Sequence, residues 1–130
     1  MSIDRVGDFL TVIRNGARVS KPFIVSPYSA IKNKIALILK DEGFIKDCSV
    51  IELDNKKHIK IVLKYVDNES VIHEITRIST PGRRFYTSGQ DIAPVIGGLG
   101  VSILTTNRGI ITHKTARQLN VGGEVICTIW

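Results

Sequence analysis

The last thirty-two residues constrain the fold most tightly: Leu99 to Trp130 reads LGVSILTTNRGIITHKTARQLNVGGEVICTIW. Val101-Ser102-Ile103-Leu104 is an apolar, β-branched run that predicts a buried strand. Thr105-Thr106-Asn107-Arg108-Gly109 is a polar turn, after which Ile110 and Ile111 resume the apolar pattern. Thr112 can cap a short helix, His113 to Leu119, by accepting a hydrogen bond at its hydroxyl. Asn120 tolerates the left-handed backbone with which such a helix ends. Gly122-Gly123 then bends the chain into a last strand, Glu124 to Trp130.

The turn carries two hydroxyls, one amide, one guanidinium and bare glycine backbone. Short donors and acceptors on a stiff platform suit close hydrogen bonding to a nucleic-acid backbone and base edges. Arg108 adds a permanent charge with forked donors that match phosphate. The same residues also make an ordinary hairpin turn, so the rest of the chain has to discriminate.

Charge favours the first reading. Eighteen Lys and Arg face twelve Asp and Glu, a net +6. Residues 1–76 hold twelve basic and ten acidic groups; residues 77–130 hold six basic and only two acidic. Most of the net charge therefore lies in the shorter C-terminal part, as an anionic partner requires. Cys48 and Cys127 are far apart and form no CxxC pattern, so they read as buried apolar residues in a reducing compartment. Ile92 to Asn107 is uncharged but too short, and too rich in Pro and Gly, to cross a membrane. The expectation is a soluble protein of the cytoplasm or an organellar stroma.

Upstream, Val6, Phe9, Leu10, Ile13 and Ala17 recur at helical spacing and predict a helix from Asp4, its cap, to Arg18. Phe23-Ile24-Val25 is a short strand ended by Pro27. Ser29 to Glu42 is a second helix with Ile31, Ile35, Ile38 and Leu39 on one side; Lys32, Lys34 and Lys40 avoid that side, and Gly43 closes it. Strands follow at Cys48–Leu53, His58–Val66 and Val71–Ile78. This is an α-β-α-β-β-β lobe over residues 1–78, a small mixed sheet with two helices on one face.

Residues 79–130 form the second lobe, and Ile78 to Tyr86 is the junction. Pro81-Gly82 suits the centre of a type II turn. Arg83, Arg84 and Tyr86 follow at once, and cations interleaved with an aromatic can pair with phosphate while the ring packs on sugar or base. Tyr86 packing within the protein is the plain alternative. Thr87 to Ile96 reads as a short helix or turn before Gly97-Gly98-Leu99-Gly100.

Little points to catalysis. His58, His73 and His113 stand in no ligand spacing, and Cys127 lies in an apolar strand, poor ground for a thiolate. The glycine run at Gly97 lacks the strand-before, helix-after context of a phosphate loop. No metal or cofactor is expected.

Two motifs resemble a known family. RxSxPGxRxY is matched by Arg77, Ser79, Pro81, Gly82, Arg84 and Tyr86. The turn Thr105–Gly109, then Thr112, Ala116-Arg117 and Gly122-Gly123-Glu124-Val125-Ile126-Cys127, follows the C-terminal pattern of the same family. That family is the bacterial-type eighth protein of the small ribosomal subunit (S-eight), and the likeness spans essentially the whole chain. It implies an α+β fold: an N-terminal α/β lobe and a C-terminal lobe of antiparallel strands with a short helix. It implies a structural constituent of the small subunit that binds the central domain of its ribosomal RNA, beside neighbouring ribosomal proteins. Carried over by position, the RNA contacts are Thr105, Thr106, Asn107, Arg108, Gly109 and Glu124, with Arg84 and Tyr86 next. The family's Ser and Lys residues around the second helix point to Ser29 and Lys32. Thr105 and Asn107 replace turn serines, and His113 stands where an acid is frequent, which implies a less negative surface there. Thr128 replaces a common tyrosine of the last strand, read as a change in packing. Glu124 can accept bonds from base amino groups or ribose hydroxyls, orient a turn donor, or merely anchor the glycine bend. Two other functions remain open from sequence: a regulator of messenger RNA, its own included, that binds a stem mimicking the ribosomal one, and a small enzyme using Cys127 or a histidine.

Overall fold

A computed structural model of the chain describes residues 5–89, 91 and 100–130. The Asp4 cap, much of the expected short helix or turn at Thr87–Ile96 and the Gly97-Gly98-Leu99 run lie outside the described residues, and Thr87 itself lies in a strand. Two compact units are present, Arg5–His73 and Glu74–Trp130.

The first unit runs α1 (Arg5–Arg18), β1 (Phe23–Pro27), α2 (Ala30–Asp41), β2 (Ile45–Leu53) and β3 (Lys56–Leu63), then a short pair, β4 (Tyr65–Val66) and β5 (Glu69–Ser70). Its sheet order is β1-β3-β2, with β3 antiparallel to both neighbours. The expected mixed sheet is therefore wholly antiparallel. The crossover through α2 leaves β1 and β2 pointing the same way, and β3 inserts between them. Ile59, Ile61 and Leu63 alternate onto one buried face of β3, where Ile24, Phe9, Leu10, Ile13, Ile35 and Leu39 complete the core. Ser29 caps α2, its hydroxyl accepting from the Lys32 N–H at 3.2 Å, and Gly43 leaves it at φ +82°.

One expectation on α2 is corrected. Its buried stripe is Lys32, Ile35, Ala36 and Leu39, an unbroken i, i+3, i+4, i+7 series. Lys32 does not avoid the apolar side; it begins the stripe and is only 5% exposed. Its ammonium donates to Ser26 Oγ (3.3 Å) and the Pro27 carbonyl (3.1 Å), and lies 5.8 Å from the centre of the Phe9 ring. Burial, then repulsion from Arg5, pulls its pKa below the usual lysine value, with Asp8 opposing.

The second unit holds β6 (Ile75–Arg77), β7 (Tyr86–Thr87), β8 (Val101–Thr106), β9 (Gly109–Thr112), α3 (His113–Leu119) and β10 (Gly123–Ile129). The strand expected over Val71–Ile78 is shorter, and its partner is not in the first lobe. β6 pairs with β10, and Glu74 and Trp130 exchange backbone bonds at its end. The sheet runs β6-β10-β8-β9, with β7 also on β10. Thr112 caps α3 by accepting from the Thr115 N–H, and Asn120 ends it at φ 54°. Leu104 and Ala116 are fully buried with Ile111, Val121 and Val125 around them, so α3 covers one face of β8–β10.

Candidate nucleic-acid interface

The geometry of this unit follows from β10, which carries β8 on one side and β6 and β7 on the other. Gly122 precedes it and Gly123 starts it, and both are required by close approach. A Cβ on Gly123 would be driven into the Thr105 carbonyl, and one on Gly122 into the Thr87 carbonyl. Glycine lets β7 and β8 close on β10 at its first residues. Glu124 is then directly opposite Tyr86 on β7 and Thr105 on β8, while Thr105 is opposite Ile110 on β9. Directly paired residues share a sheet face. Tyr86, Glu124, Thr105 and Ile110 thus form one row across four strands, on the face opposite α3.

The members of the row differ in exposure and support. Tyr86 is 73% exposed. The Glu124 side chain is 14% exposed, and Arg84 Nη1 donates to its Oε2 at 2.9 Å. The second carboxylate oxygen keeps its acceptor capacity. A phenol, a fixed carboxylate and a threonine hydroxyl side by side can meet ribose hydroxyls and base amino edges.

The hairpin tip splits the five turn residues. Successive side chains of a strand point to opposite faces, so Thr106 joins Gly123 and Leu104, away from Thr105. Its hydroxyl is used within the turn: it donates to the Gly109 carbonyl (3.0 Å) and accepts from the Arg108 N–H (3.0 Å). Gly109 takes φ +97°. Asn107 and Arg108 are exposed at the tip. Sequence order makes Thr105–Gly109 look like one surface; the pleat separates the hydroxyl that faces outward from the one that braces the loop.

Ser29 and Lys32 lie in the first unit, as a helix cap and a buried cation. His113 is also not where the sequence suggested. It is buried at the start of α3, and its Nδ1 accepts from the Ser102 N–H at 3.1 Å, so it adds nothing to a surface charge. Two supports were not visible in sequence. Ser79 is buried, accepts from the Phe85 N–H (3.0 Å) and donates to the Phe85 carbonyl (3.4 Å). Arg84 bonds Glu124, forty positions away. Only the strand register reveals the second; the RxSxPGxRxY spacing held a hint of the first.

The field of the unit is positive. Residues 74–130 carry six cations and three carboxylates, and each carboxylate already accepts a side-chain bond: Glu74 from Trp130, Asp91 from Ser88 and Glu124 from Arg84. Burial pushes the Cys127 thiol up to about 12, which keeps it protonated, and raises Cys48 as well. Among the described residues, no three His, Cys, Asp or Glu side chains cluster as a metal site needs, and no helix is long and apolar enough to cross a membrane.

Comparison with known proteins settles the family. The family model for ribosomal protein S8 matches residues 4–130. The chain belongs to the ribosomal protein S8 family. It is 48% identical over 128 residues to small ribosomal subunit protein uS8 of Streptococcus mutans, covering 98% of this chain and 97% of that one. The same protein of Thermodesulfovibrio yellowstonii is 48% identical over the full length of both chains. That of Thioalkalivibrio sulfidiphilus is 48% identical over 126 residues, 97% of this chain and 96% of the relative. The S8 match includes both motifs, the RxSxPGxRxY segment and the turn with its GGE strand, and the α+β architecture agrees with the fold expected of the family.

Proposed function

We propose that this chain is a structural component of the small ribosomal subunit that binds the central domain of the small-subunit RNA, beside neighbouring ribosomal proteins, and catalyses nothing. Membership of the S8 family over residues 4–130 is the observation that carries this reading. The row Tyr86–Glu124–Thr105 supports it locally, because it sets three polar groups on one exposed face of a positive unit. In this reading residues 79–130 are the RNA-binding lobe. Thr105, Glu124 and Tyr86 contact sugar and base edges; Asn107, Arg108 and the Gly109 backbone approach the phosphates; Arg84 and Thr106 hold the surface in shape. Ser29 and Lys32 serve through the fold of the first unit.

The test is affinity for the irregular central-domain stem against a regular duplex of equal length, at several salt concentrations. Recognition through this surface predicts a preference for the irregular stem that persists as salt rises. Equal affinities with a steep salt slope would mean that net charge alone does the binding, and would overturn the proposal.

A further inference from the structure

Between β6 and β7 the chain makes a small arm, residues 79–85. Thr80 and Arg83 exchange two backbone bonds across Pro81-Gly82, at 2.8 and 3.1 Å. At the base of the arm, Ser79 bonds both backbone groups of Phe85. The Phe85 carbonyl also accepts from the Val125 N–H at 2.9 Å, tying the arm to β10. The arm is therefore braced by its backbone, one buried serine and the Arg84–Glu124 ion pair.

Two of its side chains, Arg83 and Phe85, lie against each other. Phe85 is 42% exposed. The Arg83 guanidinium carbon lies 5.1 Å from its ring centre. Of the two adjacent arginines, Arg84 makes the ion pair with Glu124, and Arg83 lies on the Phe85 ring instead. Arg84 turns to Glu124, and Tyr86 stands exposed one residue beyond Phe85. An arginine resting on an aromatic ring combines a phosphate ligand with a platform for stacking, the pairing used to hold unstacked bases.

We propose that this arm is a second RNA contact, in which Arg83 pairs with a phosphate and Phe85 stacks on an unpaired base flanking the stem bound by the Thr105–Glu124 row. The inference rests on the proposed RNA-binding function and extends it: the ligand is a stem with an unpaired nucleotide beside it, not a stem alone.

The probe is the irregular central-domain stem with 2-aminopurine at its unpaired positions, titrated with the full chain. Wild type should quench the fluorescence on binding. Phe85→Leu keeps apolar bulk but removes the ring, and should abolish the quench at one position and weaken binding about 5- to 30-fold. Phe85→Tyr should restore both. Arg83→Gln should weaken binding and reduce the salt slope by about one contact. If wild type prefers the irregular stem but Phe85→Leu and Arg83→Gln bind and quench as wild type does, the arm is not a contact and the function stands. If wild type shows no preference for the stem, the function fails and this inference falls with it.

Discussion

Thr106→Val is the sharpest probe of how the hairpin tip is built. Valine keeps the shape and strand preference of threonine and removes only the hydroxyl. That hydroxyl makes two bonds inside the turn, to the Gly109 carbonyl and from the Arg108 N–H, both at 3.0 Å. A net hydrogen bond contributes about 1 kcal/mol, and water can replace part of each bond at a half-exposed tip. The expected loss is ~1–2 kcal/mol. With a urea slope of about 1–2 kcal/mol/M for a small unit, the midpoint should fall by ~1 M. Thr106→Ser keeps the hydroxyl and should stay near wild type. Equilibrium urea unfolding followed by Trp130 fluorescence reads the second unit, where that residue lies. In parallel, Thr106→Val should weaken binding to the irregular stem, because the loop that presents Arg108 loses its brace. An unshifted midpoint for Thr106→Val would refute the bracing role. A serine variant as unstable as the valine variant would show that the methyl group matters, not the two bonds.

Four other outcomes are expected. Gly123→Ala should force β8 away from β10 at Thr105, costing ~1–3 kcal/mol and lowering RNA affinity in parallel, both read on the same preparation. Gly109→Ala meets no atom within 4 Å, so its cost is the left-handed backbone alone, about 1–2 kcal/mol by urea unfolding; Gly109→Asn should recover part of it. Lys32→Met should leave the salt slope of stem binding unchanged, whereas Arg108→Gln should reduce it by about one contact. Cys127 should resist a thiol reagent at pH 8 while Cys48 reacts, as mass spectrometry of the alkylated protein would show. Its thiol ionises near its ordinary 9.0 when unfolded but only at about 12 when folded. Stability should therefore fall as pH rises above 9, since only the unfolded chain releases that proton there.

The parts legible in sequence are those decided within one or two helical turns. Thr112 as a cap, Gly43 and Asn120 as exits and the apolar spacing of α1 all depend on near neighbours. What depends on pairing was not legible. Nothing near Ile75 in sequence says that its strand joins β10, more than fifty residues on. The face on which Thr105 lies, and hence its company with Glu124 and Tyr86, follows from register alone. Lys32 misled for a different reason. Counting lysine as polar drew the buried stripe of α2 through Ile31 and Ile38, but the sheet beneath supplies Ser26 and the Pro27 carbonyl, which make a buried ammonium tolerable. His113 likewise looked like surface until the Ser102 N–H gave its ring a partner in the interior.

The hairpin tip differs from two other two-residue turns of the chain in a way that bears on its role. Asp54-Asn55 and Asp67-Asn68 both place their central residues at positive φ, between 51 and 64°. That pattern matches the twist of the flanking strands, but it restricts the turn to residues that tolerate a left-handed backbone, chiefly Asn, Asp and Gly. At Asn107-Arg108 the positive φ is moved one residue on, to Gly109. The two central positions are thereby released from the restriction, and a long cationic side chain can occupy the tip without backbone strain. A turn of the first kind would close the strands equally well but could not easily carry an arginine there. The Thr106 hydroxyl then fixes the loop from within, and the glycine pair of β10 lets the adjoining strands close up behind it. Glycine and threonine thus take up the conformational demands of the fold at this edge. Arg108 and Tyr86 are left exposed, with Thr105 and the Arg84-paired Glu124 beside them on the same face as Tyr86.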